Sequence, residues 1–565
     1  MSNVPKMLIL GLGGIAWNAL VARSGNGKLL AMAALMRRGT ALRLIDDVPT
    51  NRAGAWATLS TGVLPHQHGI VTFEEPWPGG LRPTGRASWR YAPLWQRLGA
   101  AGLTTMSVAW PFTTPGATWE GVHIDDRLAR ASGRDWQDWL APRDVVDARW
   151  RDALSELRVH PTDISGDLLA PFVPMLGAVD QRTDRALIDL AMMIARLSTN
   201  HAALQHLLGE AKWDVAFAFH SWLADIQQRF AGLPAPYDAV VDAAWTLLDT
   251  MIAITVQAVP RDTAVVLVSL GWQSEPGFVI AAGAGIPRSV RADVAHSVDI
   301  VPTVLARYGL RDPLLGGRIV IGKGDDILHT LPPAPDLAPQ QVVDRDALAR
   351  VEAAGYAAPG VPVEWTARRL LDLAALTMPH DPVAAGRFAE HANGVAGDSA
   401  VGVGLVAAAA VADEQYDSLS GLADRIARVA PGHIWESLIR GGHHAARGEL
   451  DRARPYLVRV EAEGQANERM RAGAAWLLLK RPADARRVFE AIVAVEPLHI
   501  DARVGLGIAL ASLDRIAAEQ TLRQALIIDP ARSDARTILC DILRQLGRAP
   551  EAERIMSAGT VYRRD

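Results

Sequence analysis

The apolar positions of this chain change their pattern at about residue 330. Before that point, short and nearly uninterrupted apolar runs alternate with amphipathic stretches, as in a parallel sheet whose strands are buried on both faces. The clearest runs are Met7–Leu10, Trp213–His220, Val265–Ser269 and Gly277–Ile280. We therefore predict an α/β sandwich over residues 1–330, a mostly parallel sheet with helices on both faces.

Two further segments differ from this pattern. Residues from about 150 to 210 have helical rather than strand-like periodicity, and we expect them to form a helical cap or insertion within the domain. Residues 331–339 are rich in proline, which is typical of an extended, semi-rigid linker. The linker would separate the α/β domain from everything that follows it.

Beyond the linker, over residues 340–565, the pattern becomes Ala-rich and helical with a period of about 34 residues. Gly473 and Gly507 are 34 residues apart, and Pro497 and Pro530 are 33 apart. Small and large apolar residues recur between these markers at Trp476, Ala485, Phe489, Ile492, Leu506, Leu510, Ala518, Leu522, Ala525, Leu539, Ala552 and Met556. This spacing resembles tetratricopeptide repeats and predicts an all-α solenoid of four or five helical hairpins.

Composition restricts the functions that the chain can have. Of its 565 residues 49% are hydrophobic and 21% are charged, and the net charge of −4 does not suit a nucleic-acid surface. The single cysteine, Cys540, excludes an internal disulfide and fits a reducing compartment. We find no apolar run of membrane-spanning length and no secretory signal, so we expect a cytoplasmic protein with no membrane span.

One segment of the α/β region carries a family resemblance. An Arg-x-x-x-Trp sequence at the expected start of a helix is followed by Thr-Gly, Pro and His-Gly-Ile, at Arg52, Trp56, Thr61, Gly62, Pro65, His68, Gly69 and Ile70. This resembles the nucleophile segment of the alkaline-phosphatase superfamily, in its type I phosphodiesterase/nucleotide pyrophosphatase branch. There a Ser or Thr occupies the position of Arg52, whose protonated guanidinium has no lone pair with which to attack.

The resemblance also implies two zinc-like ions, whose ligands are missing here. Gly13 stands where the family has its first Asp, and Leu270 and Gly271 stand where it has an Asp-His pair. After the middle strand, Ala224 and Gln228 replace an Asp and a His in one register; in the other, Asp225 remains and Arg229 replaces the His. Two zinc ions need several imidazole and carboxylate ligands. We therefore expect no bound metal, no other cofactor and no catalytic residue.

The leading interpretation is an inactive, phosphodiesterase-like pseudoenzyme joined to an interaction module. Its vestigial pocket would comprise Gly13, Arg52, Ala224, Asp225, Gln228, Leu270 and Gly271. The repeats would bind a protein or peptide in their groove, and that partner could be a second copy of the chain. We expect Arg52 to pair with Asp225 in the space that the metals occupy in the family.

Three alternatives remain open at this point. An active hydrolase or transferase on phosphate or sulfate esters could use Ser60, Thr61 or Asp225. An anion or small-molecule sensor could use Arg52 at its helix N-terminus. Finally, Gly11-x-Gly13-x-x-Ala16, with Asp46 as a ribose-binding acid, also fits a dinucleotide-binding fingerprint.

Overall fold

The computed structural model describes residues 5–48, 51–77, 80–85, 88–113, 121–129, 148–180, 183–273, 275–288, 294–321, 329–331, 362–529 and 532–560. The chain divides into two compact units, one of residues 1–75 and 83–338 and the other of residues 76–82 and 339–565. Apart from Leu331, the predicted linker lies outside the described residues, as do residues 340–361.

A large, mostly parallel sheet organises the first unit. The strands are β1 (Met7–Leu12), β2 (Thr40–Ile45), β3 (Glu74–Trp77), β4 (Gly80–Pro83), β5 (Thr105–Val108), β6 (Gly121–Ile124), β7 (Val215–His220), β8 (Ala264–Ser269), β9 (Gly277–Ala282), β10 (Val294–His296), β11 (Leu310–Arg311) and β12 (His329–Thr330). Eight of them form one sheet in the order β10-β2-β9-β8-β1-β7-β5-β6. Only β9 is antiparallel to its neighbours β2 and β8, while the other pairs are parallel. The predicted α/β fold is therefore confirmed.

Helices connect and cover these strands. They are α1 (Trp17–Gly25), α2 (Leu30–Arg38), α3 (Arg52–Thr61), α4 (Pro65–His68), α5 (Leu94–Ala100), α6 (Ala148–Glu156), α7 (Gly166–Leu169), α8 (Arg185–Glu210), α9 (Trp222–Phe230), α10 (Val240–Ala258) and α11 (Ile300–Arg307). Every residue of β1, β8 and β9 is buried, because both faces of the middle of the sheet are covered. That burial explains why these strands have continuous rather than alternating apolar sequences.

The segment expected to be a helical cap or insertion is indeed helical, and its longest helix belongs to the core of the domain. Helix α8 buries Leu190, Ile194 and Leu204 in the same apolar cluster as strands β1 and β7. Its N-terminus is capped by Asp184, whose carboxylate accepts a hydrogen bond from the backbone N–H of Leu187 at 3.0 Å. Residues of this helix therefore lie close to the carboxyl end of β7.

One helix is longer and more apolar than the sequence pattern led us to expect. Among the described residues, α10 alone is long and apolar enough to cross a membrane by length and composition, a criterion that buried core helices also meet. Its Trp245, Leu248 and Ile252 pack in the core of the α/β unit. The Asp249 carboxylate accepts hydrogen bonds of 2.9 Å from the backbone N–H groups of Ala31 and Met32. These contacts are those of a core helix packed against α2.

The topology rules out the dinucleotide-binding alternative. In that fold, the strand carrying the ribose-binding acid lies directly beside the first strand. Here β1 lies between β7 and β8, and β2, which precedes Asp46, is separated from β1 by β8 and β9. The prediction from Gly11, Gly13 and Ala16 was therefore wrong, because a short glycine pattern does not specify strand order.

The second unit is helical from residue 363 onward. Its helices are α12 (Val363–Thr377), α13 (Pro382–Ala396), α14 (Ala400–Ala412), α15 (Leu419–Val429), α16 (Ile434–Ala446), α17 (Leu450–Glu463), α18 (Ala466–Leu478), α19 (Pro482–Val495), α20 (Ile500–Ala511), α21 (Arg515–Ile528), α22 (Ser533–Gln545) and α23 (Ala549–Thr560). Short turns join them into six consecutive pairs in the described part of this unit, a tetratricopeptide-type solenoid. The expected four or five hairpins were too few, because the pairs before residue 430 lack the repeat's marker residues.

Small residues set the spacing between paired helices. A Cβ added to Gly473 on α18 would lie 2.6 Å from the Phe489 ring on α19, and one added to Gly507 on α20 would lie 2.6 Å from Leu522 on α21. Phe489 and Leu522 are fully buried in one continuous cluster that runs along the repeats. The glycines therefore let the large apolar side chains fill the space between helices, as the repeat pattern predicted.

Candidate functional site

Arg52 is the first residue of helix α3, as the sequence predicted. The residue before it, Asn51, caps the helix: its side-chain oxygen accepts a hydrogen bond of 2.7 Å from the backbone N–H of Gly54. The Asn51 amide nitrogen also donates to the carbonyl of Val71 at 2.7 Å, which fixes the cap against the next loop. The start of α3, and with it the Arg52 side chain, is thereby fixed in direction.

The Arg52 guanidinium extends toward the carboxyl end of strand β8. Its Nη1 donates to the carbonyl oxygen of Leu270 at 3.1 Å, and its Nη2 to the carbonyl oxygen of Gln273 at 3.4 Å. A cation at a helix N-terminus is normally unfavourable because it faces the positive end of the helix dipole. The two carbonyl dipoles offset that cost.

The carboxylate partner of Arg52 is Asp46 and not the predicted Asp225. Arg52 Nη1 lies 3.7 Å from Asp46 Oδ2. Burial raises the pKa of Asp46 to about 7, while the backbone N–H of Val48 and the charge of Arg52 act in the opposite direction. Asp46 follows β2 directly, and the sequence patterns did not indicate that the carboxyl end of β2 lies beside the start of α3.

The seven residues predicted to form a vestigial pocket line a single cavity of about 390 Å³: Gly13, Arg52, Ala224, Asp225, Gln228, Leu270 and Gly271. They come from the carboxyl ends of β1 and β8, from the start of α3 and from helix α9. Ligand sites in open α/β sheets occupy this edge. The structure therefore brings the seven residues together at one edge of the sheet.

The backbone leaves little room for a side chain at Gly13 and at Gly271. Gly271 has a φ of 86°, and a Cβ there would collide with the carbonyl oxygen of Glu275. A Cβ on Gly13 would lie 3.2 Å from the Cα of Ser221, and one on Gly14 would lie 2.6 Å from the Cα of Ala224. A side chain at Gly271 would therefore require the backbone to move.

Asp225 is held in place by Ser221 and Arg196. Its Oδ2 accepts a hydrogen bond of 2.7 Å from the Ser221 hydroxyl and lies 3.4 Å from Nη1 of Arg196. Arg196 also donates to the Ser221 hydroxyl oxygen at 2.8 Å. Arg229 pairs with Asp189 at 2.9 Å and does not line the cavity. Of the two registers considered, the structure thus favours the one in which Ala224 and Gln228 replace Asp and His.

This donor set does not fit the two-ion centre of the family. Among the described residues that line the cavity, Asp225 is the only carboxylate, and there is no histidine. In the described part of the chain, no three His, Cys, Asp or Glu side chains form a group that could hold a metal ion. Two divalent cations need more negative charge and more nitrogen ligands than one carboxylate supplies. No chemical step through a metal can be assigned to this site.

The hydroxyls considered as substitute nucleophiles lie outside the cavity. Ser60 donates to the carbonyl of Trp56 at 2.7 Å, and Thr61 donates to the carbonyl of Ala57 at 2.8 Å. Both side chains are buried, and Ser60 also accepts a hydrogen bond of 2.9 Å from the Trp110 indole. They hold α3 and its neighbouring strand in place.

His68 is a structural residue. Its Nδ1 accepts a hydrogen bond of 3.1 Å from the backbone N–H of Ile70, so the proton resides on Nε2, which lies 3.1 Å from the Thr58 hydroxyl. Complete burial lowers the pKa of His68 to about 3, which keeps it neutral. His220 is also buried at the end of β7, and burial lowers its pKa to about 3.

Sequence reasoning missed much of the cavity wall. Arg196 and Asn200 come from α8, in the segment expected to form a helical cap or insertion. Aromatic residues form another part of the cavity wall: Trp56, Phe73, Trp110, Phe112, Phe219 and Trp272. The Trp56 and Phe219 rings meet edge to face at 4.7 Å. No periodicity distinguishes aromatic residues that line a cavity from those that fill a core, so only the structure could identify this wall.

Comparisons with known proteins found a family model and several solved structures of low similarity. A family model for type I phosphodiesterase / nucleotide pyrophosphatase matches residues 7–269, so this part of the chain is a phosphodiesterase-like domain. A solved structure of phosphonoacetate hydrolase from Sinorhizobium meliloti 1021 in complex with phosphonoacetate is 16% identical, covering 47% of this chain and 56% of that chain at a TM-score of 0.30. Murine ectonucleotide pyrophosphatase / phosphodiesterase 5 is 11% identical, with the same two coverages and a TM-score of 0.29. A crystal structure of MamA is 15% identical over 27% of this chain and 92% of that chain, with a TM-score of 0.24. A comparison with curated proteins found no match.

Proposed function

We propose that the phosphodiesterase-like domain is catalytically inactive and that the chain acts as an interaction platform through its repeats. The observation that carries this proposal is Arg52, at the position of the family's nucleophile. Its guanidinium is bonded to the Leu270 and Gln273 carbonyls, at the edge where the family would hold its metal. A cation there repels divalent ions and cannot attack an ester.

The backbone supports the same proposal independently of Arg52. At Gly271 the family has a metal-binding His, but here a Cβ would strike the carbonyl of Glu275. Reversal of the substitutions alone would therefore not rebuild the ligand set. If activity had been lost recently, we would expect the backbone still to accommodate the metal-binding side chains.

Hydrolysis assays on the full chain test the inactivity. We expect no chelator-sensitive turnover of 4-nitrophenyl phosphate, bis(4-nitrophenyl) phosphate or 4-nitrophenyl sulfate, with zinc or manganese added or omitted. Without a Lewis acid, the transition state loses several kcal/mol of charge stabilisation. Turnover that follows the protein through purification and is abolished by a chelator would establish instead the active hydrolase with a non-standard site.

The repeats supply the interaction surface in this proposal. Stacked helical pairs present a continuous groove, and such grooves bind peptides and helices. Helix α21 also exposes Ile516 (63%) and Ile527 (67%), which are eleven residues apart and therefore on the same side of the helix. Exposed apolar side chains on one side of a repeat helix are suited to an apolar partner surface.

The first test for a partner is whether the chain associates with itself, because the partner could be a second copy of the chain. Sedimentation of the full chain over a range of concentrations should be compared with that of an Ile516→Asp/Ile527→Asp variant. A mass above the monomer that the variant lowers would support a repeat-mediated homo-oligomer. A monomer in both cases would direct the search to peptide or protein partners, tested on the same pair of proteins.

A second candidate function is that of a small-molecule sensor. The cavity of about 390 Å³ next to Arg52 favours it, because it falls within the size range of ligand pockets. Sensing is compatible with an inactive domain and with partner binding by the repeats.

A further inference from the structure

The first helices of neighbouring pairs lie side by side in the repeats. Helix α16 contacts α18, and α18 contacts α20. The buried side of α18 packs through Gly473 against Phe489 of its own second helix, α19. Its other side carries a row of exposed and half-buried residues spaced three and four apart, which lie in line along a helix. We call this row and its neighbours on α16 and α20 the groove, which comprises Trp435, Arg471, Ala474, Leu478 and Ile508.

The groove is mostly apolar. Leu478 is 48% exposed and Ile508 is 40% exposed. Ile508 has the same place on α20 that Ala474, 34 residues earlier, has on α18. The Trp435 ring packs over α14, where a Cβ on Gly404 would lie 2.6 Å from the ring. Large apolar side chains exposed on adjacent helices are suited to a partner that removes them from water.

Arg471 brings one positive charge into this apolar surface. It lies two residues before Gly473, the glycine that packs against the second helix of the pair. The residues at the same position of the preceding and the following pair are Ile439 and Gly505. Among these three pairs, a charge at this position is therefore particular to α18.

The guanidinium of Arg471 has no hydrogen-bond or ion-pair partner among the described residues. Its Cζ lies 5.6 Å from the centre of the Trp435 ring, a contact that attracts a cation without neutralising it. Burial lowers the pKa of Arg471, and the charge of Glu468 acts in the opposite direction. Glu468 itself accepts a hydrogen bond of 3.1 Å from the backbone N–H of Gln465, so it caps the start of α18.

Two carboxylates of the neighbouring first helices are engaged with other cations. Glu436 on α16 lies 3.1 Å from Nε of Arg440, and Asp501 on α20 lies 2.6 Å from Nη1 of Arg532. A charge that is partly removed from water and has no counterion is costly. A carboxylate that reached Arg471 would be attracted more strongly than in bulk water, because the local dielectric constant is lower.

We propose that the groove binds an apolar peptide segment of a partner protein that carries one acidic side chain, which pairs with Arg471. The apolar side chains of the segment cover Leu478 and Ile508. Its carboxylate meets the planar fork of the guanidinium, whose geometry matches two carboxylate oxygens. This inference rests on the proposed role of the repeats in partner binding, and it specifies the chemistry of the partner.

Peptide selection on the full chain tests the proposal. A phage-displayed library of random peptides, joined to the coat protein through their C-termini, is selected on the immobilised parent chain. We expect enriched sequences that combine large apolar residues with an Asp or Glu at a constant spacing. Enriched peptides without an acidic residue, or no reproducible enrichment, would overturn the proposal.

Fluorescence polarisation with the most enriched peptide, labelled and amidated at its C-terminus, locates the site. Arg471→Gln should weaken binding about tenfold or more, because it removes a charged hydrogen bond. Arg486→Gln makes the same change of charge at an exposed arginine of α19, which pairs with Glu490 at 2.7 Å, and should leave binding unchanged. When the acidic residue of the peptide is replaced by its amide, Arg471→Gln should have no further effect. Equal effects of Arg471→Gln on the acidic and the amide peptide would refute the ion pair.

Ile508→Asp provides a second measurement if Arg471→Gln is poorly folded. The side chain of Ile508 is exposed, so this change disturbs the packed core little. It removes apolar contact and adds a charge that repels the acidic peptide, so binding should weaken about tenfold or more. Unchanged binding by Ile508→Asp would contradict the assignment of the peptide to the groove.

The Ile516→Asp/Ile527→Asp variant separates this inference from the proposal on which it rests. Loss of peptide binding in that variant alone would place the peptide on α21, which would refute the groove but keep a partner-binding platform. No enriched peptide together with a monomeric parent chain would count against both.

Discussion

At the scale of single residues, the replacement at position 52 has consequences beyond the loss of a nucleophile. A Thr there would end near the first turn of α3, whereas Arg52 reaches to the Leu270 and Gln273 carbonyls. The side chain thus joins α3 to the loop after β8. Its charge also acts on Asp46, whose pKa it holds lower than burial alone would.

The first prediction is that Arg52→Thr does not create a hydrolase. A hydroxyl is a weak nucleophile without a metal or a base to activate it, and the carboxylate and imidazole positions hold Gly13, Leu270 and Gly271. The measurement is metal-dependent hydrolysis of bis(4-nitrophenyl) phosphate by the variant and its parent. Metal-dependent turnover by Arg52→Thr alone would mean that a ligand set exists among other residues.

The second prediction concerns the pH dependence of stability through Asp46. Burial raises its folded pKa from 3.8 to about 7, so the folded state binds this proton more tightly than the unfolded state does. Stability from this group is therefore fully present below about pH 4 and declines as the pH rises to about 7. The full difference corresponds to at most about 4 kcal/mol. Asp46→Asn, which removes the titrating group, should raise the melting temperature at pH 8 relative to the parent.

The control for this effect is a carboxylate in water. Asp238 is exposed before α10, and Asp238→Asn makes the same change of charge there. For Asp46→Asn the difference should grow between pH 4 and pH 7. If that difference is independent of pH, the pKa of Asp46 is the same in the folded and unfolded states, and the assignment of a raised pKa is wrong.

At the scale of elements, the repeats depend on close contacts between neighbouring helices. Gly507 and Gly442 both lie inside helices, α20 and α16, but their surroundings differ. A Cβ at Gly507 would lie 2.6 Å from buried Leu522, whereas one at Gly442 would meet nothing within 4 Å. The two positions therefore separate helix propensity from interhelical packing.

The third prediction compares alanine substitutions at Gly442 and at Gly507. Gly442→Ala should stabilise the repeats by up to about 1 kcal/mol, because alanine favours the helix. Gly507→Ala gains the same propensity but forces Leu522 to move, at a typical cost of about 1–3 kcal/mol. Thermal unfolding should therefore place Gly507→Ala below Gly442→Ala. Equal stabilisation by both changes would show that the α20–α21 contact is loose enough to accept a methyl group.

Strands and helix starts were predictable from the sequence because they depend on local patterns. The apolar runs of β1, β7, β8 and β9 and the helix beginning at Arg52 occur where the sequence placed them. Partners across the fold were not predictable. The pairing of Arg52 with Asp46 depends on how the carboxyl end of β2 and the start of α3 meet, and Asn200 enters the cavity from α8, which carries none of the motifs that marked the site. The predicted number of helical pairs was also too low, since the early repeats keep the helical periodicity but lack the marker residues.

At the scale of the whole molecule, the chain contains two compact units with separate apolar cores. A chain of this kind need not unfold in a single transition. Calorimetry of the full chain should show which transition belongs to which unit. Asp46→Asn is expected to move the transition of the α/β unit, and Gly507→Ala that of the repeats.

The last prediction is that metal chelation shifts neither transition. A metal that binds only the folded state raises the free energy of unfolding by mass action, so its removal lowers the melting temperature of the unit that holds it. The cavity of the α/β unit is lined by two arginines and, among the described residues, one carboxylate, a set that would hold a divalent cation weakly at best. Phenanthroline should be used beside EDTA, because EDTA is itself a carboxylate that could bind at Arg52. A metal-dependent phosphodiesterase measured in parallel should lose stability with both chelators. If phenanthroline lowers the α/β transition of this chain and zinc restores it, the chain holds a structural or catalytic metal, and the proposal of a metal-free platform fails.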